Sequence, residues 1–273
     1  METEDRRPLS ALTIAGSDSG GGAGIQADLK TFAAHRVHGL SALAALTAQN
    51  TRGVTAIHVP PVEFLRAQID ACFADFRIHA VKLGMLANAS VIHAVADALW
   101  VHRPAHVVVD PVMVATSGAR LLEPAALDAL RERLFPLATV LTPNLPEAEL
   151  LLGREIPDEA AAREALRALL ELGAKAVLLK GGHLPGTGAR VDWFGDGTQV
   201  VAHSHPTLNV NGHGTGCTLA SAIAARLCLG DPLPEACRAA TDYVHGALRH
   251  AYRPGSSEVS VLDPFWRDGP NPV

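Results

Sequence analysis

The sequence predicts a three-layer α/β fold, with a mainly parallel central sheet, helices on both faces and a small antiparallel hairpin at one edge. Two observations predict it. From residue 11 to residue 180, short runs of Val, Ile, Leu and Ala are interleaved with helix-length patterns, and beyond residue 180 two β-rich segments flank Gly195-Asp196-Gly197. A parallel strand pair needs a helix-length crossover, so that interleaving leads to a parallel sheet covered on both sides.

The first apolar run, 11–15, is followed by a helical pattern over 24–35, and the second run, 41–47, by a helix over 61–73 that Pro61 opens. Run 80–84 precedes a helix over 90–102 opened by Ser90, and run 106–110 precedes a helix over 124–134 opened by Pro124. Runs 139–142 and 175–180 bracket a helix over 158–172 that Asp158 caps. Pro at the first turn and Ser or Asp at the cap are ordinary helix openings, and runs this short suit strands buried on both faces. Segments 190–194 and 198–203 form the edge hairpin, and two long apolar helices follow over 215–229 and 233–252. The Pro- and Gly-rich tail from 254 is expected to be irregular. With no internal repeat, low-complexity block or linker, residues 1–273 are expected to form one domain.

At 273 residues, 48% hydrophobic and 19% charged, the chain can bury a large core. Its formal charge of -5, with Lys and Arg scattered singly, provides no basic face for a nucleic-acid backbone. Cys72, Cys228 and Cys237 sit singly in helical stretches without zinc or disulfide spacing, which points to a reducing compartment. Residues 1–10 lack the apolar core of a signal peptide, and no apolar run approaches the roughly 20 residues needed to span a bilayer. A cytoplasmic location without a membrane partner is expected.

Ligands of parallel sheets bind beyond the carboxyl ends of the strands. The residues there are polar or glycine: Gly16-Ser17-Asp18, Gln49-Asn50, Gly84-Met85, Asp110, Pro143-Asn144 and Lys180-Gly181-Gly182-His183. Any one such turn is unremarkable, but six together favour a site. The segment Asn211-Gly212-His213-Gly214-Thr215-Gly216-Cys217-Thr218 runs straight into an apolar helix. Alternating glycines let backbone amides converge, and the helix start adds positive potential, so Gly214, Thr215 and Gly216 are expected to cradle a phosphate or a developing oxyanion. Cys217 lies in that first turn, where the helix start is expected to favour its thiolate and suit it to accept a proton.

Gly22-Ala23-Gly24-Ile25-Gln26-Ala27 fits the relaxed dinucleotide fingerprint, which raises a nicotinamide-dependent oxidoreductase as a remote alternative. The match begins several residues past the first strand, and the second strand closes on Gln49 and Asn50 rather than an acidic residue. There is no Gly-Lys-Ser/Thr for a Walker A loop, and the thirteen histidines form no H-E-x-x-H pair.

Seven segments in order, AGSDSGGGAGIQADLKTF, TAQNTRGV, KLGML, VVDPVM, TPNLPEAELLLG, LLKGGH and HGTGCTLASAIAA, resemble the bacterial hydroxymethylpyrimidine and phosphomethylpyrimidine kinases of the ribokinase-like superfamily, from about residue 12 to residue 252. The resemblance implies the ribokinase-like form of the α/β/α fold, ATP and Mg²⁺ as cofactors, a homodimer, and phosphorylation of 4-amino-5-hydroxymethyl-2-methylpyrimidine and then of its monophosphate for thiamine biosynthesis. It implies that Gln49 reads the pyrimidine edge, that Gly16 and Asp28 lie near the polar substituents, and that Met85 and Val112 lie against the ring. A Gln amide can donate to and accept from an aminopyrimidine at once, which agrees. The resemblance also places His213 at the substrate, Asp110 and Glu147 at Mg²⁺, Asn144 and Glu147 at the nucleotide, and Lys180 at the transferred phosphate. Asn144 and Glu147 equally form an N-terminal cap pattern. Where the family commonly has Thr before the cradle His, this chain has Gly212, which predicts a more flexible entry to the loop. The nearest rival is a pyridoxal or pyridoxine kinase of the same fold, and a nucleotide-binding regulator without catalysis is a third reading that Asp110, Lys180 and Cys217 oppose.

Overall fold

The computed structural model describes residues 7–113, 121–123, 125–181 and 189–269. Pro124 and the segment 182–188, with Gly182 and His183, lie outside the described residues. The chain runs through β1 (Leu9–Asp18), α1 (Gly24–Ala34), β2 (His38–Asn50), β3 (Gly53–His58), α2 (Val62–Asp75), β4 (Arg77–Leu83), α3 (Ala89–His102) and β5 (His106–Val109). It continues through α4 (Ala126–Ala129), β6 (Val140–Leu141), α5 (Leu145–Leu152), α6 (Glu159–Leu170), β7 (Val177–Leu179), β8 (Ala189–Gly195) and β9 (Val200–Pro206). β10 (Gly212–His213), α7 (Thr215–Cys228), α8 (Leu233–Arg249) and β11 (Ser260–Val261) close it.

Nine strands form one sheet in the order β3-β2-β1-β4-β5-β6-β7-β8-β9. β2, β1, β4, β5, β6 and β7 run parallel, whereas β3 at one edge and β8 and β9 at the other are antiparallel to their neighbours. Strand alternation divides the core. Leu12, Ile14, Val81, Leu83, Val107 and Val109 face α2 to α6, while Ala11, Ala80 and Val108 face α1, α7 and α8. β1, β4, β5, β6 and β7 therefore bury both faces, as their continuous apolar runs require, while β2, next to the edge strand, buries one face and leaves the other partly exposed.

Four segments differ from the sequence reading. β3 was not expected, because its side chains are mostly exposed and carry no buried face for a hydrophobic pattern to mark. α5 is helical where only its cap was legible: Asn144 Oδ1 accepts from the Glu147 amide and Glu147 Oε2 accepts from the Asn144 amide, both at 2.8 Å, a complete capping box. The helix expected over 124–134 is a single α turn that widens into a π segment over Leu130–Leu134 and tightens to a 3₁₀ turn over Phe135–Leu137. The tail is not irregular throughout. β11 pairs in parallel with β10, and Trp266–Asp268 forms a 3₁₀ turn.

Candidate active site

β1 is flanked by β2 on one side and β4 on the other, so the crossovers diverge there and leave a crevice at the carboxyl ends of the strands. A cleft of about 960 Å³, its open mouth included, fills that crevice. One wall holds Gly16, Gln49, Met85, Val112 and His213, and the opposite wall holds Asp110, Asn144, Glu147, Lys180 and the Gly214–Cys217 turn. Of the residues expected to contact substrate, nucleotide, metal or the transferred phosphate, Asp28 alone is not on the cleft surface.

Asp28 is fully buried behind it. Its carboxylate accepts from Lys82 Nζ at 2.9 Å, Thr13 Oγ1 at 2.6 Å and Ser221 Oγ at 2.7 Å. Those three donors occupy the group, so the expected substrate contact is corrected to a counter-charge for Lys82. Lys82 itself, the Lys of the KLGML run, lines the cleft and was missed. The available signal was a lysine inside a strand expected to be buried on both faces, which requires an anionic partner. Burial pushes its ammonium down, but Asp28, Cys217 and Asp110 more than offset this and hold it above its ordinary value.

The opposite wall is built around Lys180. A lone β-bridge pairs Asn144 with Lys180, and the Lys180 amide donates to the Pro143 carbonyl at 2.8 Å, which aims the side chain across the ends of β5 and β6. Lys180 Nζ lies 2.9 Å from Asp110 Oδ1 and 3.9 Å from Glu147 Oε2, all three groups being buried. Two carboxylates thus share one ammonium. Burial raises the Glu147 carboxyl to about 7, with Lys180 opposing and Asp110 reinforcing, and the cap reading of Glu147 holds. Lys180 stays above its ordinary value because Asp110, then Glu147, outweigh the effect of burial.

The Gly214 turn meets this cluster. Gly214 has φ +85° and lies against the Gly22 carbonyl oxygen, so both its conformation and its surroundings exclude a Cβ. A Cβ on Gly216 would sit 3.1 Å from Lys180 Nζ and 3.2 Å from Asp110 Oδ2, so the first turn of α7 opens directly onto the charged cluster. Cys217 is the third residue of that helix and faces the same cleft. Its expected preference for thiolate is corrected. Burial, reinforced by Asp28 and Asp110, outweighs Lys82 and the Gly24 amide and pushes the thiol up to about 11.

On the first wall, Gln49 and His213 meet across the mouth. His213 Nε2 lies 3.1 Å from Gln49 Nε2 and 3.2 Å from Asp18 Oδ2. Unprotonated, that nitrogen accepts from the amide; protonated, it donates to Asp18. Gly212 does not loosen the loop as expected. It pairs with Ser260, and a Cβ there would meet Leu248 Cδ1 at 2.5 Å. Asp18 explains why the dinucleotide fingerprint misleads. Its carboxylate already accepts from the amides of Gly20 at 2.7 Å, Gly22 at 3.0 Å and Ala23 at 2.8 Å, filling the place a pyrophosphate would need.

A second cleft of about 650 Å³ adjoins the first and shares Lys180, Arg190 and Thr215 with it. The two leave room for two ligands meeting at Lys180.

A family model described as phosphomethylpyrimidine kinase matches residues 18–262. The hydroxymethylpyrimidine/phosphomethylpyrimidine kinase of Rhizobium meliloti is 52% identical over 264 residues, covering 94% of this chain and 98% of the relative. The thiamine biosynthesis bifunctional protein ThiED of Geobacter sulfurreducens is 55% identical over 243 residues, 89% of this chain, which spans about half (49%) of that longer protein. In three dimensions, a Bacillus subtilis pyridoxal kinase solved as an ADP complex is similar with a TM-score of 0.87 and 34% identity, over 96% of this chain and all (100%) of that one.

Proposed function

The chain belongs to the phosphomethylpyrimidine kinase family, and from that membership we propose that it phosphorylates 4-amino-5-hydroxymethyl-2-methylpyrimidine, and then the resulting monophosphate, with ATP, for thiamine biosynthesis. One observation carries the reading. A cleft lined by Met85 and Val112 with the Gln49 amide beside them opens onto a glycine-lined helix start beside the buried Lys180–Asp110 pair, all on one carboxyl edge of the sheet.

In this reading Met85 and Val112 flank the ring and the Gln49 amide meets its edge, leaving the hydroxymethyl oxygen toward Cys217. The nucleotide enters from the second cleft with its terminal phosphate at the Gly214–Cys217 turn. Phosphoryl transfer has a loose transition state, so positioning and charge neutralisation dominate. The amides of the first α7 turn and the Lys180 ammonium meet the charge on the migrating group, and Cys217 takes the alcohol proton late. Because the thiol is neutral at rest, acceptance requires its thiolate, so turnover depends on the fraction ionised.

Asp110 and Glu147 fit Mg²⁺. They are hard oxygen donors, and two carboxylates around one ammonium leave an anionic surplus that a cation would offset. When bound, the ion supplies neutralisation of the phosphate oxygens.

The reading includes a cytoplasmic homodimer whose partners are these small molecules. Among the described residues no helix is long and apolar enough to cross a membrane.

The test is ADP formation with hydroxymethylpyrimidine, its monophosphate and pyridoxal measured side by side. Turnover of the first two in preference to pyridoxal is expected. Turnover of pyridoxal alone would replace the proposal with the rival activity.

A further inference from the structure

Gln49 and His213 are 164 positions apart. Gln49 is the second-last residue of β2, where Ser19 Oγ donates to its carbonyl at 2.7 Å and accepts from its amide at 2.8 Å, and His213 lies on a strand of two residues. A single amide–imidazole hydrogen bond gains too little to fix the distance between the two segments by itself.

The carboxyl-terminal segment touches both from outside the cleft. On the Gln49 side, Ser257 Oγ donates to the Thr51 carbonyl at 3.0 Å and Arg52 Nη2 donates to Ser256 Oγ at 2.8 Å, which fastens the β2–β3 turn. On the His213 side, β11 pairs with β10, and the Ser260 amide donates to the Asn211 carbonyl at 2.9 Å. Val261 fills the space over Gly22, where a Cβ would meet Val261 Cγ1 at 2.6 Å and His213 Cδ2 at 2.9 Å.

The segment is then anchored to α8. Tyr252 and Val261 exchange backbone hydrogen bonds at 3.0 and 2.9 Å, and Tyr243 Oη donates to the Pro264 carbonyl at 2.7 Å. The Trp266 indole lies over Gly246 so closely that any Cβ there would overlap it, and it stacks on His250 at 5.7 Å. Arg267 covers the Trp266 ring at 5.0 Å and the Tyr243 ring at 5.5 Å.

We propose that residues 255–268 are a positioning element of the substrate pocket, tying the turn after Gln49 and the strand of His213 to α8 and so fixing the distance between the two side chains that the pyrimidine meets. Among the described residues no hydrogen bond or ion pair joins the segment to Lys180 or Asp110, so its influence is on substrate capture rather than on phosphate chemistry. This rests on the reading of Gln49 as the pyrimidine's partner.

The experiment is steady-state kinetics with hydroxymethylpyrimidine and ATP, plus thermal melting, for Trp266→Ala, Trp266→Phe, the double variant Arg52→Ala/Ser257→Ala, and Gln49→Ala. Both Trp266→Ala and the double variant are expected to raise KM for the pyrimidine by about tenfold, with kcat and KM for ATP within about twofold. Trp266→Phe should return KM for the pyrimidine to within about twofold of the parent. Should Trp266→Ala fail to fold, the double variant carries the test alone. If Gln49→Ala raises KM while folded tail variants keep the parent value, the positioning role is refuted and the Gln49 reading survives. Parallel losses in kcat and both KM values that track a lowered Tm also refute it. If Gln49→Ala itself leaves KM unchanged, the substrate reading fails first and takes the proposal with it.

Discussion

Cys217 and Asp28 show how a single residue's surroundings can reverse what its position suggests. The helix start favours a thiolate, yet burial with two carboxylates nearby prevails, and the thiol sits at about 11. If the thiolate is the acceptor, kcat rises with pH from neutrality upward. Replacing Cys217 by Ala abolishes that rise and lowers kcat by roughly 10²-fold with little change in KM. An unaltered kcat would exclude the role. For Asp28, deletion of the carboxylate strands the buried Lys82 ammonium, so Asp28→Ala is expected to lose about 3–5 kcal/mol of stability by urea denaturation. A direct substrate contact would instead raise KM and leave the unfolding midpoint where it was.

At the scale of elements, helix starts do most of the placing. α7 begins on Gly214, whose left-handed conformation lets the chain turn against Gly22 and aim its first amides at Lys180 and Asp110. α5 begins on the Asn144 capping box, which fixes the carboxylate of Glu147 beside Lys180 as a consequence of ending the helix well. Asn144→Ala removes one of the two reciprocal bonds and is expected to cost about 1 kcal/mol in chemical denaturation. No measurable loss would mean that water replaces the cap. The tail belongs to this scale too. β10 and β11 are each only two residues long, and both persist because the segment after them is pinned to α8 by Trp266.

For the whole molecule, the divergence of crossovers at β1 and β4 brings residues from 16 to 217 onto one edge and concentrates charge there. That concentration has a cost that depends on pH. Glu147 titrates at about 7 when folded against 4.5 ordinarily, so the folded state binds more protons between those values and stability falls as pH rises through that window. Below about 4.5 the contribution is fully present. Glu147→Gln keeps a cap acceptor and removes the titration, so its urea midpoint should decline less than the parent's between pH 5 and pH 8. Coincident slopes would rule Glu147 out as the source.

The parallel core strands, the longer helices and the cradle at 211–218 were legible in the amino-acid order, because apolar periodicity and glycine spacing are local properties that tertiary context reinforces here. So were Lys180, Asp110, Gln49 and Cys217, since polar residues closing apolar runs must face the carboxyl edge of a parallel sheet. Other features depend on groups remote in sequence, and the folded chain alone decided them. The occupancy of Asp28 by Lys82 and Ser221, the raised proton affinity of Cys217, and the tying of Gln49 to His213 through residues 255–268 each arise from pairs dozens to hundreds of positions apart. Burial and long-range pairing set them, and no local pattern encodes either.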